Sequence, residues 1–199
     1  MTASATTYAS DDGTDDGVLV ASALDGDRDA FRLLVRRHQD ALYRYAVRMT
    51  GHGDVAADLV QATFVKAYTR LDRCRNPDRF GAWIFQIVAN ACRDHFRRQR
   101  RRRKVSIDDH DGGGPAPAPA LTSASDPALD LERAELRDRI ERAIGRLPDE
   151  QREAFLLKHV ELRSYPEMSE ILDVSVSALK MRVHRAREAL KAELEEVVR

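Results

Sequence analysis

Apolar residues recur along the chain at three- and four-residue steps, the spacing of helix faces, and no stretch shows the strict alternation of a half-buried strand. Val18 to Leu24 is a short apolar helix candidate, ended by Gly26. Asp27 is placed to cap a second helix carrying Phe31, Leu34, Val35, Leu42, Tyr45, Ala46 and Met49, and Gly51 stops it. Asp54 opens a third helix, with Leu59, Ala62, Phe64, Val65 and Tyr68 as its apolar positions. Residues 70–79 read as a loop, because Asn76-Pro77-Asp78 is a turn signal. A fourth helix runs from Phe80 to about Arg103, with Trp83, Ile84, Ile87, Val88, Ala91 and Cys92 on a broad apolar face and a wholly basic far end.

The pattern then breaks. Asp108-Asp109-His110-Asp111 and three glycines are followed by Pro115, Pro117 and Pro119 alternating with alanine, and nothing there builds a core. Residues 105–128 therefore read as a flexible linker. Its roughly two dozen residues reach on the order of 80 Å when stretched. Helical periodicity resumes with Leu131, Leu136, Ile140, Ile144 and Leu147, and again after Pro148 with Phe155, Leu156, Val160 and Leu162. Ser164 and Glu167 have capping-box spacing, with Pro166 in the first turn and Ile171 and Leu172 on the apolar side. Asp173-Val174-Ser175 makes a short turn, and Ser175 or Ser177 caps a last helix that runs past Leu190. The expectation is an all-α chain: two four-helix domains, 18–104 and 129–199, behind a disordered tail at 1–17 and joined by the flexible linker.

The last two helices have the arrangement of a helix-turn-helix, whose second helix enters the DNA major groove. Leu179, Val183, Ala186 and Leu190 fall at i, i+4, i+7 and i+11 and form one inward stripe. Ser177, Met181, His184, Arg185 and Glu188 lie opposite, flanked by Lys180 and Arg187. A methionine centred on a polar face suits a thymine methyl, and Lys180 or Arg185 suits base edges or phosphates. The plainer alternative is a basic amphipathic helix on any small bundle.

Composition changes the picture in two ways. The 33 basic and 33 acidic residues cancel, yet they are segregated: Arg97-Arg98-Gln99-Arg100-Arg101-Arg102-Arg103-Lys104 is a solid basic block, and the acid concentrates in the tail, the linker and residues 126–141. Charge placement governs attraction to DNA more than the total does. The two cysteines, Cys74 and Cys92, form no disulfide framework, which fits a reduced, cytoplasmic location. Cys92 and His95 have the spacing of half a metal site without a second half, so a structural role is expected. No apolar run reaches membrane-spanning length, and the first residues lack the apolar core of a secretory signal. No nucleophile–base pair, glycine-rich phosphate loop or metal constellation stands out, so neither enzyme activity nor a cofactor is expected.

The two halves together resemble a bacterial RNA polymerase sigma factor of the extracytoplasmic-function group. The first half carries the resemblance in Gly26-Asp27-Arg28-Asp29-Ala30-Phe31, Leu42-Tyr43-Arg44-Tyr45-Ala46, residues 58–64, Phe80-Gly81-Ala82-Trp83-Ile84, Ile87, Ala89-Asn90 and Asp94-His95. The second half carries it in residues 147–157, Val174-Ser175-Val176, Lys180, Arg182 and His184-Arg185-Ala186-Arg187. The resemblance implies that the first domain serves the −10 promoter element and the second the −35 element. It implies partners too: core RNA polymerase, promoter DNA and an anti-sigma protein.

By the same resemblance, Asp58, Leu59, Gln61, Thr63 and Phe64 match the surface that docks on the polymerase clamp helices, with Asp58 and Gln61 the better contact candidates. Asn76, Asp78, Asn90, Arg93, Arg97 and Arg98 match the part that melts and holds −10 DNA. A base in a duplex is hidden and must be extruded to be read, which calls for polar loop groups and phosphate-holding arginines. Trp83 invites a stacking role, but its neighbours Ile84, Ile87 and Val88 favour the core. Ser177, Lys180, Met181, His184, Arg185 and Arg187 match the −35-reading surface, the outward face already found from periodicity. Met181 stands where a small polar residue is usual, which predicts an altered base preference. Two other classes remain: an autonomous dimeric regulator reading a palindrome, and a helical adaptor with an incidental basic face.

Overall fold

A computed structural model describes residues 13–105 and 127–197. Helices α1 (Asp16–Leu24), α2 (Arg28–Thr50), α3 (Gly53–Thr69) and α4 (Phe80–Val105) build the first half, with two single 3₁₀ turns, Leu71–Arg73 and Pro77–Arg79, between the last pair. The second half is α5 (Pro127–Arg146), α6 (Asp149–His159), α7 (Tyr165–Leu172) and α8 (Val176–Val197). No strand occurs among the described residues.

The local signals act as their chemistry dictates. The Asp27 carboxylate accepts from the Asp29 and Ala30 amides at 2.9 and 3.3 Å, satisfying donors that the first turn of α2 leaves orphaned. Gly51 ends that helix at φ 75°, a left-handed conformation that glycine adopts without a Cβ penalty. Leu19, Leu34, Tyr45, Met49, Phe80, Ile84 and Phe85 are buried between α1, α2 and α4. Phe85 lies outside the face read from the sequence, because α4 is enclosed on more than one side.

Several expectations need correction. The tail expected over 1–17 overlaps α1, whose Asp16 carboxylate accepts from Arg37 at 2.6 Å and pairs with His38 Nε2 at 2.8 Å; residues 1–12 lie outside the described residues. The linker expected over 105–128 loses its ends to α4 and α5, and its remainder, 106–126, also lies outside. Val65 and Tyr68 are exposed rather than buried. The inward stripe of α3 is Ala56, Leu59, Val60, Thr63 and Ala67, and Val65 sits nine residues, half a revolution, from Ala56. Leu136 and Ile140 are exposed on α5, whose first buried position among the described side chains is Ala143; the side chain of Leu131 lies outside the described residues. Leu162 is not part of α6: it stands at φ 53°, 81% exposed. The Arg163 amide reaches back to the Leu157 carbonyl at 2.9 Å, a helix-ending closure that demands a left-handed residue between them.

The two halves pack on each other. Arg163 lies over the Phe85 ring at 4.7 Å. Arg48 Nε donates to Glu141 at 3.1 Å, and Tyr45 Oη donates to Glu153 at 3.3 Å. Burial pushes the Glu153 carboxyl up, against the opposing pull of Arg93.

Candidate nucleic-acid interface

The helix-turn-helix is set by three local devices. Ser164 and Glu167 form a reciprocal capping box, the serine N–H and hydroxyl reaching the carboxylate at 2.8 and 2.6 Å. Asp173 takes the left-handed turn at φ 55°, ψ 46°, and Ser169 Oγ donates to the Val174 carbonyl at 2.7 Å across it. The Ser175 carbonyl then accepts from Leu179 N at 3.0 Å, starting α8.

Leu179, Val183, Ala186 and Leu190 are all buried. Ser177, Lys180, Met181, His184, Arg185 and Arg187 are all exposed, and Met181 keeps 51% of its surface open. Lys180 Nζ lies 5.8 Å from the Tyr165 ring centre, and His184 Nδ1 lies 4.0 Å from Glu188. This face offers cations, a hydroxyl and one thioether in a row, the inventory that base edges and phosphates require.

The loop before α4 borders an open hollow of about 310 Å³. Arg73, Cys74, Arg75, Asn76, Trp83 and Gln86 are among its walls. Trp83 is half-buried and tilts against Phe80 with centroids 5.8 Å apart, so it packs on the core and still faces the hollow. The Cys74 Sγ donates to the Asn76 carbonyl at 3.5 Å, and burial pushes its thiol up. Asn76 thus belongs to the hollow, whereas Asp78 lies against Gly17 at the start of α1. Arg73, Arg75 and Gln86 were not singled out from the sequence. Clustering of cations around the turn signal was the available clue.

Along α4, Asn90 Oδ1 accepts from Arg93 at 3.1 Å, Arg97 pairs with Asp94 at 2.8 Å, and Arg98 Nε donates to the Asp94 carbonyl at 3.2 Å. Asn90, Arg97 and Arg98 are exposed; Arg93 is half-buried and turned toward the second half. Arg93, Arg97, Arg100 and Arg101 share a cleft of about 770 Å³ with Met181 and Arg185 of α8. Cys92 is fully buried and its thiol is pushed up to about 12 by burial, which leaves it a packing residue. No cluster of three or more potential metal-ligating side chains occurs among the described residues.

On α3, Asp58 and Gln61 are exposed and Phe64 is half-buried. Leu59 and Thr63 face inward, and the Thr63 hydroxyl donates to the Leu59 carbonyl at 2.7 Å. A hydroxyl turned back onto its own helix offers nothing to a partner. The exposed Val65 and Tyr68 extend the outer face that carries Asp58 and Gln61.

Residues 34–102 match the family described as Sigma-70 region 2, and residues 137–190 match Sigma-70, region 4. The ECF RNA polymerase sigma-E factor of Escherichia coli (strain K12) is 34% identical over 185 residues, spanning 92% of this chain and 96% of that protein. The ECF RNA polymerase sigma factor SigW of Bacillus subtilis (strain 168) is 31% identical over 176 residues, spanning 86% and 92%. Among solved structures, CnrH in complex with the cytosolic domain of CnrY superposes with a TM-score of 0.65 at 32% identity, covering 91% of this chain and 97% of that one. The sigma factor RpoE in complex with the anti-sigma factor NepR, from Bartonella quintana, gives 0.69 at 27% identity, covering 83% and 96%.

Proposed function

The chain belongs to the sigma-70 family, in its extracytoplasmic-function group, and from that premise we propose how its surfaces divide the work of promoter-specific initiation. It binds core RNA polymerase and directs it to promoters. The observation that carries this is the order of the two matched regions, region 2 and then region 4, along one chain.

The outer face of α3, through Asp58 and Gln61, docks on the polymerase. Exposure of both side chains supports this, and burial of Leu59 and Thr63 makes those two the scaffold of the face. The hollow beside Trp83 accepts an extruded −10 base, Asn76 offering it polar groups, while Asn90, Arg97 and Arg98 hold the strand. Asp78, against α1, shapes the loop from outside the hollow. The −35 duplex is read by α8, with Arg185 or Lys180 on base edges and Met181 against an apolar base feature, while Ser177, His184 and Arg187 set the register. The catalytic centre is the polymerase's; this chain performs no covalent step. No helix of the described residues is long and apolar enough to cross a membrane, and the chain works where the polymerase does, in the cytoplasm. An anti-sigma protein controls it, a reading supported by the complexes in which the two similar solved structures were captured.

Reconstitution with core polymerase and a library of promoter fragments tests the reading. Polymerase-dependent initiation at a defined subset is the expected result. Tight binding to a palindromic duplex without polymerase, and no initiation with it, would establish an autonomous regulator instead.

A further inference from the structure

Arg73 and Arg75 are exposed and both border the hollow before α4, and neither guanidinium meets an acceptor among the described residues. The loop fixes where they stand. Between them Cys74 is buried; its amide donates to the Leu71 carbonyl at 3.0 Å and its thiol to the Asn76 carbonyl at 3.5 Å. The Asn76 carbonyl also accepts from the Arg79 amide at 3.0 Å. A buried anchor between two exposed arginines sets both stems before a ligand arrives, and such preorganisation lowers the cost of binding. The wall is otherwise short of negative charge. Its one carboxylate among the described residues, Glu170, is engaged with Arg79, and the amides of Asn76 and Gln86 are the neutral polar groups left.

A guanidinium only donates, and its fork matches two acceptors side by side. Guanine offers such a pair in O6 and N7, and an extruded cytosine in O2 and N3. Adenine sets a donor, its N6 amine, beside N7, and thymine separates O2 from O4 by the N3 hydrogen. We propose that Arg73 and Arg75 are the specificity-determining pair of the hollow, and that it takes a base with two adjacent acceptors, guanine or cytosine, in preference to adenine or thymine. The assignment rests on reading the hollow as the site of an extruded −10 base. The amides of Asn76 and Gln86 then serve the donors left on that base, the N4 amine of cytosine or N1 and N2 of guanine.

Holoenzyme reconstituted from core polymerase and the full-length chain tests this on promoters in which every −10 position carries each base in turn. The expected result is one position at which guanine or cytosine initiates about ten-fold better than adenine and thymine. Arg73→Lys with Arg75→Lys keeps both charges and removes both forks. That variant should shrink the preference at that position to about two-fold, while the other −10 positions, the −35 preference and helicity stay as in the parent. A preference for adenine or thymine at every selective position overturns the proposal, and so does a lysine variant that keeps the parent's preference. Equal loss of initiation on all promoters would make the two arginines phosphate contacts and overturn it too. Initiation by the parent with no preference at any −10 position is the distinct failure of the base-capture reading, and takes the proposal with it.

Discussion

Arg152 of α6 donates Nη1 to the carbonyl of Met49, near the end of α2, at 2.6 Å, so one side chain ties the end of that helix to the second half. The same guanidinium donates to the carbonyls of Ile144 at 3.2 Å and Leu147 at 3.0 Å, and to that of Gly145. These carbonyls lie at or just past helix ends, where acceptors are left over, and that of Ile144 also accepts from the Leu147 amide at 3.1 Å. Burial lowers the Arg152 pKa, partly offset by Asp149, yet a guanidinium stays charged and has five donors to distribute. Arg152→Ala should therefore destabilise the chain by about 2–4 kcal/mol in urea unfolding. Arg152→Lys should recover little, because an ammonium's three donors radiate from one atom and cannot span the four carbonyls that the guanidinium reaches from three nitrogens. Full recovery by lysine would mean that charge, not the fork, matters.

Leu162 is held in the left-handed region by the closure of α6 and makes no compensating burial. A left-handed L-residue costs roughly 1–2 kcal/mol, and glycine forfeits part of that gain through unfolded-state entropy. Leu162→Gly should raise stability by about 0.5–1 kcal/mol, read as a higher urea midpoint at unchanged m value. A fall in midpoint would reveal a contact made by the exposed leucine.

Hydrogen bonds from the Ser164 hydroxyl, then from its backbone N–H, hold the Glu167 carboxyl below its ordinary value of 4.5. A depressed carboxyl contributes stability that is fully present above that value and is lost as pH falls through the folded one. Ser164→Ala should cost about 1 kcal/mol at neutral pH. The gap between the variant and the parent chain should close as pH drops below about 4.5. A gap independent of pH would assign the cost to the hydroxyl's bond to the Glu167 amide alone.

How far the chain could be read without coordinates depended on distance along it. The α8 stripe and its outward face were legible because a helix repeats its geometry every few residues, and the Ser164 cap lies within one turn of its partner. Val65 and Tyr68 were not, because α3 carries apolar residues on two arcs and only neighbouring helices decide which turns inward. The Arg93–Glu153 pair joins residues 60 apart, and no local signal encodes such a meeting. At the site, the outward set of α8 was found by periodicity, whereas membership of the hollow beside Trp83 had to await the path of the loop.

Arg185 is exposed on the outward face of α8. If it bonds a base edge, Arg185→Ala should weaken −35 recognition by about 1–3 kcal/mol and relax selectivity at that base. Transcription from promoters randomised in the −35 element checks this. A uniform loss across all sequences would instead make the arginine a phosphate contact.

The outer face of α3 presents Asp58 and Gln61 together with the exposed Val65 and Tyr68. Exposed apolar side chains beside polar ones are the composition of an interaction surface, and neither Asp58 nor Gln61 supports the core. Asp58→Ala with Gln61→Ala should abolish association with core polymerase, measured by co-migration in gel filtration, while helicity by circular dichroism stays at the parent value. Val65→Ser with Tyr68→Ser should weaken association as well; the tyrosine's edge contact with Phe31, at 4.9 Å, makes a small stability loss the accompanying cost. Normal association by both variants would move the docking surface off α3, since Leu59 and Thr63 are turned inward.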